Sequence, residues 1–340
     1  MFAFVRFPCR TFLCLSGISA TDRRKARECL AEEWKPGFMD NDLRVARYKN
    51  VSNCLIAVHL SVLPSQRPFA MLAAVNRIVE RFQSLRQQGK KGLVVYIGAG
   101  DPNLEATRQF ALAFDKAGVD ILELGVPFSD PLADGLVNQL AAQRGLESGT
   151  TPPKLLATVA AIRRDSQVPI VLYVYFNILH KRGVKEFITD CAQAGVDGLL
   201  VLDLPPEESE NYEHLMRKAG LCNIYLIAPT TPEDRMELIA RRASGFIYYV
   251  SREGVTGMQA KVSDTIGSMT AKIRAHTQLP IAVGFGISNP EQARTVAQSA
   301  EAIVVGSAIV NQIAEHGKSP ELVARVSAFV KLLGDAVKSV

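Results

Sequence analysis

The sequence predicts an α/β fold in which eight parallel strands, each followed by a helix, close into a single barrel. Short β-branched runs alternate with segments of helical period from residue 93 to residue 338. The runs are apolar enough for burial on both faces, as in an all-parallel sheet. Eight such units over about 250 residues favour a (β/α)8 barrel, the TIM-barrel architecture.

The pattern also places the individual elements. We expect strands at 93–98, 119–124, 168–175, 196–202, 223–228, 245–250, 279–283 and 301–305. We expect helices at 104–117, 136–146 with 152–164, 184–194, 207–219, 231–243, 263–276, 290–298 and 308–338. A further helical period at 71–88, with Gly89 as its stop, predicts an extra helix that closes the bottom of the barrel.

A Rossmann sheet is the alternative architecture for alternating strands and helices. It requires a G-x-G-x-x-G turn after the first strand, and the turn here, Gly98-Ala-Gly100, lacks the third glycine. No domain boundary is apparent after residue 71. We therefore expect residues 71–340 to form one catalytic domain.

Residues 1–70 differ from the rest in composition. They hold eleven Lys/Arg and six Asp/Glu, which leaves 28 of each charge in the other 270 residues and argues against a nucleic-acid footprint there. Residues 1–20 loosely resemble a signal or transit peptide but lack a clean cleavage site. We expect a disordered extension or translated sequence upstream of a start at Met71; a transit peptide and a functional module are the alternatives.

Cysteine usage and hydropathy indicate the compartment. Four cysteines lie in the first 70 residues, and only Cys191 and Cys222 lie beyond them. Neither group has the paired spacing of a zinc site, so we expect reduced thiols and no metal. No apolar run reaches the length of about 18 residues that a membrane span needs. We expect a cytoplasmic protein, or a plastid protein if residues 1–70 are a transit peptide.

The stretch from Leu122 to Gly135 is the strongest candidate for chemistry. Glu123 lies inside an apolar strand, where a carboxylate is costly unless it is paired or neutral. Asp130 and Asp134 follow on a proline-stiffened loop. Two carboxyl groups in different surroundings acquire different pKa values and roles. We expect Glu123 to exchange protons and Asp134 to stay ionised, with a helix cap at Asp134 and loop geometry at Asp130 as structural alternatives.

Glycines beside hydroxyls mark the last three strand ends. They occur in Gly254-Val-Thr-Gly257, Gly284-Phe-Gly-Ile-Ser288 and Gly306-Ser307. Glycine lets backbone N–H groups approach an anion, and helix N-termini favour negative charge. The loops after strands seven and eight commonly hold phosphate in this fold. A phosphorylated small-molecule substrate is therefore expected.

The positions of lysine and histidine residues exclude some types of reaction. No lysine lies in a strand run, which disfavours a Schiff-base aldolase, and the five histidines are scattered, which disfavours a metal-dependent one. Acid–base chemistry by carboxylates remains. Tyr175 and Tyr248 point into the barrel mouth if the strand alternation holds.

Motifs at nearly every strand end resemble the tryptophan synthase alpha subunit family. They are LELGVPFSDPLADG (122–135), YFN (175–177), DLPPEE (203–208), APTT (228–231), YVSREGVTG (249–257), GFGIS (284–288) and VVGSAIV (304–310). The resemblance covers residues 71–340 and implies a lyase of tryptophan biosynthesis that cleaves indole-3-glycerol phosphate to indole and glyceraldehyde 3-phosphate. It further implies no cofactor in this subunit and a beta-subunit partner that carries pyridoxal phosphate, in an α2β2 heterotetramer.

The resemblance also assigns roles to individual positions. It implies that Glu123 protonates the indole ring carbon, that Asp134 meets the indole N–H, and that Tyr248 lies near the reacting atoms. The implied indole pocket consists of Tyr96, Tyr175 and Leu200, and the implied phosphate site consists of Gly257, Gly286, Gly306 and Ser307. Loops 127–135 and 251–262 match those that close over substrate and respond to the partner.

Three local departures from the family pattern concern the loops. Gly98 stands where a threonine is usual, and Leu136 stands where a proline is usual. Asn177-Ile178 stands where an asparagine-proline pair is common, so Ile178 replaces the proline. They bear on loop closure and partner coupling. Two rival functions stay open: another phosphosugar barrel enzyme, for which the expected strand-end lysines are missing, and a non-enzymatic subunit that activates its partner.

Overall fold

The computed structural model describes residues 76–250, 259–284 and 286–340, together with the backbone of two strands near the amino terminus. Of residues 259–265 only the backbone is described. The chain divides into Met1–Leu72 and Ala73–Val340, and the two parts are described separately.

The first part contains two short strands, β1 (Ala3–Arg6) and β2 (Phe12–Leu15). They pair antiparallel, with Ala3 opposite Leu15. The sequence pattern had assigned no strand here. The other residues of the segment, and Met71, lie outside the described residues, so the expectations of disorder, a leader or a later start stay predictions.

The second part is a closed parallel barrel of eight strands, as predicted. The strands are β3 (Gly92–Gly98), β4 (Ile121–Gly125), β5 (Ile170–Val174), β6 (Gly198–Val201), β7 (Cys222–Ile227), β8 (Ile247–Val250), β9 (Ile281–Gly284) and β10 (Ala302–Val305). Each pairs with the next along the chain, and β10 pairs with β3 to close the ring. The prediction of a single (β/α)8 barrel is confirmed.

Helices surround the barrel and connect its strands. They are α1 (Arg77–Gln87), α2 (Leu104–Lys116), α3 (Leu136–Glu147), α4 (Pro152–Ile162), α5 (Phe176–Arg182), α6 (Val184–Ala194), α7 (Glu210–Ala219), α8 (Glu233–Arg242), α9 (Gln259–His276), α10 (Pro290–Ala297), α11 (Ser307–His316) and α12 (Leu322–Lys338), with a 3-10 turn at Pro206–Glu208. None of the helices in the described ranges is long and apolar enough to cross a membrane.

Two helix predictions need correction. The segment 308–338 is two helices, α11 and α12. Gly317 is the C-cap of α11, and Pro320, which has no N–H to donate to a helix, lies between the two. The short helix α5 follows the third barrel strand directly, between the predicted strand 168–175 and the predicted helix 184–194, where no helix was predicted. Seven residues are too few to establish a helical period.

Strand alternation separates an inner core from an outer one. Residues such as Val94, Ile121, Val171 and Leu200 fill the barrel interior, whereas their neighbours along each strand pack against the surrounding helices. Because successive side chains point to opposite faces, Tyr96, Glu123 and Tyr173 continue the inward series towards the upper rim. The period that builds the core therefore also delivers the polar side chains to the mouth.

Helix α1 closes the bottom of the barrel, as the sequence predicted. Its buried residues Ile78, Phe82 and Leu85 belong to the interior cluster. Phe82 packs on Phe246 with ring centroids 5.7 Å apart. Gly198 makes room for this plug, because a Cβ there would lie 3.1 Å from Cδ1 of Ile78.

A fourfold repeat of hydrogen bonds ties the lower ends of the strands together. In each pair of adjacent strands, a residue preceding the second strand donates its N–H to a carbonyl at the start of the first strand. The side chain of the residue that precedes the second strand also accepts a hydrogen bond from the backbone N–H of the first-strand residue. The four pairs are Asp120 with Leu93, Asp197 with Ile170, Ser244 with Asn223, and Glu301 with Ile281. This repeat fixes strand register at the end of the barrel away from the candidate site.

Candidate active site

Glu123 lies on β4 inside the upper part of the barrel. It is 1% exposed and sits in register between Tyr96 on β3 and Val171 on β5. Neither carboxyl oxygen has a hydrogen-bond partner among the described residues. Burial, and then the charge of Asp134, raise the pKa of Glu123 to about 8. At neutral pH this carboxyl group is therefore mainly a neutral acid that holds a transferable proton.

Asp134 lies on the loop between β4 and α3 and turns its carboxylate into the barrel mouth. Its Oδ1 accepts a 2.8 Å hydrogen bond from the hydroxyl of Tyr173, and its Oδ2 accepts one of 2.8 Å from Tyr175. The alternative of a helix cap is not what forms, because Gly135 is the N-cap of α3. The two phenols instead hold the carboxylate at the barrel mouth, where its charge acts on Glu123.

Tyr175 fastens the loop as well as the carboxylate. It follows β5 directly and is 4% exposed. Its hydroxyl accepts a 3.0 Å hydrogen bond from the backbone N–H of Ala133, and its ring lies 5.1 Å from that of Phe128. Loop 127–135 is thus held by one side chain at three points, while Asp130 is exposed and accepts a hydrogen bond from Ser129.

Tyr96 and Tyr248 complete the wall around Glu123. Burial, followed by the charges of Asp134 and Glu123, raises the pKa of Tyr96 well above its ordinary value. Burial and then Glu123 do the same for Tyr248. Tyr96 lies opposite Glu123 in the strand register, and both phenols keep their protons and remain hydrogen-bond donors.

Glycines at the strand ends give these rings their space. A Cβ at Gly125 would lie 2.8 Å from Cζ of Tyr96, and one at Gly284 would lie 2.9 Å from the hydroxyl of Tyr248. Tyr96 also packs edge-to-face on Tyr173, with centroids 5.1 Å apart. Leu200, fully buried, lies in register with Tyr173 and contributes an apolar surface below the rim.

The candidate phosphate end lies where β9 and β10 run into helices. Gly306 is the N-cap residue of α11, and Ser307 is its first residue and exposed. Gly286 adopts a φ of +62°, a conformation that glycine accepts readily. The N-terminus of α11 offers free N–H groups to an anion. Gly257 and the rest of residues 251–258 lie outside the described residues.

The structure also reveals a residue that the sequence analysis left without a role. Tyr173 lies within the predicted strand 168–175, and its hydroxyl contacts Asp134 as directly as that of Tyr175 does. The available signal was spacing, because residues two apart on a strand share a face. The partner on the loop could not be read from sequence.

The three departures from the family pattern take different places. A Cβ at Gly98 would lie 3.0 Å from Cβ of Ala141 on α3, so the missing side chain allows close helix packing. Leu136 begins α3 and is 70% exposed. Ile178 lies within α5 and packs on the outer core. None of them adds a polar group to the carboxyl pair.

The two carboxyl groups can move protons in opposite directions at the barrel mouth. A neutral buried acid can donate a proton, and a hydrogen-bonded carboxylate can accept an N–H or O–H. Among the described residues there is no cluster of three or more metal-ligating side chains. The phenols and apolar wall would enclose an aromatic ring beside the two carboxyl groups.

Known proteins match the barrel part of the chain. The family model of the tryptophan synthase alpha chain matches residues 82–338. The tryptophan synthase alpha chain of Opitutus terrae is 51% identical over 263 residues, covering 77% of this chain and 98% of its own length. That of Geotalea daltonii is 47% identical over 259 residues, covering 76% and 98% respectively.

A solved structure agrees with these relatives. The crystal structure of tryptophan synthase subunit alpha from Legionella pneumophila str. Paris superposes with a TM-score of 0.73 at 35% sequence identity. The match covers 78% of this chain and 100% of that one. The matched segment includes both carboxyl groups and every barrel strand, and the chain therefore belongs to the tryptophan synthase alpha chain family.

Proposed function

We propose that Glu123 and Asp134 together cleave indole-3-glycerol phosphate in this chain, which is a lyase of tryptophan biosynthesis and the alpha chain of a tryptophan synthase. The observation that carries the assignment is the state of Glu123. It is buried without a described partner, and its pKa is raised to about 8, next to a carboxylate held by two phenols. One group is thus ready to give a proton while the other can take one.

The cleavage is a retro-aldol step. Glu123 gives its proton to the ring carbon that bears the glycerol chain, and Asp134 accepts the ring N–H proton, which yields an indolenine. The carboxylate of Glu123 then takes the proton of the glycerol hydroxyl on the adjacent carbon, and the carbon–carbon bond breaks. The bonding electrons return to the ring and Asp134 returns its proton to the nitrogen, so the products are indole and glyceraldehyde 3-phosphate and both carboxyl groups regain their starting states.

The surrounding residues position the substrate in this proposal. Tyr96, Tyr175 and Leu200 form the indole pocket, and Tyr248 lies beside Glu123 near the reacting carbon. Gly286, Gly306 and Ser307 bind the phosphate together with Gly257, through backbone N–H groups and the dipole of α11. No lysine is needed for that grip, since helix N-termini bind phosphate by themselves.

The partner and location follow from the same proposal. We expect a tryptophan synthase beta subunit as partner, in an α2β2 heterotetramer, with pyridoxal phosphate on the beta subunit and no cofactor in this chain. We expect residues 71–340 to be the catalytic domain and residues 1–70 an appended segment. A cytoplasmic location fits reduced Cys191 and Cys222, both of which are buried thiols. Nucleic acid and membrane are not expected partners.

The test is the release of indole from indole-3-glycerol phosphate by the purified full chain, with and without beta subunit. We expect Glu123→Gln and Asp134→Asn each to lower kcat by at least about a hundredfold, because each removes a proton-transfer group. Glu237→Gln, an exposed substitution of the same chemistry on α8, is the matched control and keeps the wild-type rate. Wild-type-like turnover by Glu123→Gln would contradict the assignment. A wild-type chain inactive under both conditions would favour the non-enzymatic alternative.

A further inference from the structure

We propose that Tyr173 is a positioning residue for the lyase reaction, whose hydroxyl presets the carboxylate of Asp134 before substrate arrives. The inference rests on the proposed function, because it assumes that Asp134 receives a proton from the substrate. It adds a residue that neither the motifs nor the matched pocket positions had assigned. The claim concerns the hydroxyl, since the ring alone could serve packing.

The hydrogen bond joins a rigid element to a loop. Tyr173 belongs to β5, whose backbone is bonded on both sides within the closed barrel. Asp134 is 39 residues earlier, on the segment between β4 and α3, and the two side chains meet at 2.8 Å. A loop carboxylate anchored to a barrel strand has far fewer orientations than a free one. Such pre-ordering of reacting groups lowers the barrier of the step that uses them.

The polarity of position 173 supports a role for the hydroxyl. The inward residue below it on the same strand is Val171, and the interior cluster beneath is apolar. A phenol at the rim carries its own desolvation cost, which is offset here by a charge-assisted hydrogen bond to Asp134. Burial, and then the charge of Asp134, raise the pKa of Tyr173, so the phenol keeps its proton and remains a donor.

The two phenols divide the work on the carboxylate. Tyr175 donates to Oδ2 and also accepts from Ala133, so it holds both the loop backbone and the side chain. Tyr173 donates to Oδ1, and among the described residues no hydrogen bond joins its hydroxyl to the loop backbone. Each carboxylate oxygen can accept a second hydrogen bond, so the free lone pairs remain for the substrate N–H. Loss of the Tyr173 hydroxyl should therefore change the orientation of the Asp134 carboxylate without releasing the loop backbone.

The test compares two variants that separate hydroxyl from ring. Tyr173→Phe keeps the edge-to-face contact with Tyr96 and removes the donor, whereas Tyr173→Leu removes both. We expect Tyr173→Phe to lower kcat by about tenfold or more, in line with a hydrogen bond to a charged group, with KM changed by less than about threefold. In an Asp134→Asn background the same substitution should change the residual rate by less than about twofold, because its target is gone.

The outcomes separate this inference from the proposed function. A wild-type chain that releases indole and a Tyr173→Phe variant that matches it in kcat would overturn the positioning role alone. Loss confined to Tyr173→Leu would show that the ring acts only in packing. An equal loss from Tyr173→Phe with and without Asp134 would likewise overturn it. A wild-type chain without lyase activity would instead refute the function on which the inference rests.

Discussion

The charge of Asp134 raises the pKa of Glu123, on top of the larger effect of burial. The two carboxyl groups interact at the barrel mouth but have different surroundings. Glu123 is 1% exposed and lacks a described partner, whereas both oxygens of Asp134 accept hydrogen bonds. A single site therefore holds a proton donor and a proton acceptor at the same pH. The predictions below follow from this relationship and from the barrel that supports it.

Glu123→Gln should stabilise the fold at alkaline pH. The folded pKa of about 8 exceeds the ordinary value of 4.5, so between these values the folded chain holds a proton that the unfolded chain has released. The contribution of Glu123 to stability is fully present below about pH 4.5 and is lost as pH rises through about 8. We expect the variant to match wild type at acidic pH and to gain a few kcal/mol above about pH 8, since one pKa unit corresponds to about 1.4 kcal/mol.

The measurement is the free energy of unfolding of both proteins across that pH range. A constant difference at all pH values would mean that Glu123 does not change its protonation state on folding in this window. The expected pattern is a site that lowers stability for the sake of reactivity.

Gly125→Ala should displace the ring of Tyr96. The new methyl group would lie 2.8 Å from Cζ of Tyr96, and the ring is packed against Tyr173 and the Gly306 backbone. Overpacking of this kind costs about 1–3 kcal/mol. We expect that loss in the free energy of unfolding measured in urea, together with a raised KM for indole-3-glycerol phosphate. Gly267→Ala on α9 is the control, because the new methyl group would meet Oγ of Ser299 at an ordinary contact distance of 3.8 Å and alanine is favoured in a helix.

Asp197 should be far more important for stability than Ser244, although the two occupy equivalent places in the fourfold repeat. Both accept a backbone N–H at 2.8 Å, but Asp197 also pairs with Arg77 at 2.9 Å and with the largely buried Arg163 at 2.6 Å. Asp197→Ala should cost about 3–5 kcal/mol, because it leaves the largely buried guanidinium of Arg163 without a carboxylate. Ser244→Ala should cost about 1 kcal/mol. Equal losses in chemical unfolding would contradict this reading of the repeat.

Tyr175→Phe should loosen loop 127–135. The variant loses the bonds to Ala133 and Asp134 while its ring remains against Phe128. We expect faster cleavage within residues 129–135 in limited proteolysis at unchanged global stability, since the loop is exposed and held by few contacts. Tyr212→Phe is the matched control, because that buried hydroxyl has no described hydrogen-bond partner. Equal cleavage of Tyr175→Phe and wild type would show that other contacts hold the loop.

The barrel could be predicted because its signal is local. Strands such as Ile121–Gly125 apart from Glu123, and Ala302–Val305 throughout, consist of apolar residues, and burial on both faces requires that composition. The division of 308–338 was missed although Gly317 and Pro320 are helix-stop signals in the sequence. The short helix α5 was missed because seven residues show no helical period. Glu123 could be chosen from sequence because an acid inside an apolar run is locally anomalous.

The hydrogen-bond partners of Asp134 were harder to predict from the sequence. Its phenol partners lie 39 and 41 residues away, and their meeting depends on the register of β4 with β5. Sequence placed Tyr175 at the mouth through alternation but gave no reason to prefer it over Tyr173 as a partner. The fourfold repeat at the barrel bottom was missed for a similar reason, because its members are Asp, Ser and Glu and share a position more than a residue type.

The protonation state of Glu123 tests the central claim most directly. Infrared difference spectra between wild type and Glu123→Gln, recorded from about pH 5 to about pH 10, isolate the carbonyl stretch of the protonated acid. We predict a titration midpoint near pH 8 in wild type. In Asp134→Asn the midpoint should fall but remain above 4.5, since burial persists. A wild-type midpoint near 4.5, or one that Asp134→Asn leaves unchanged, would contradict the account.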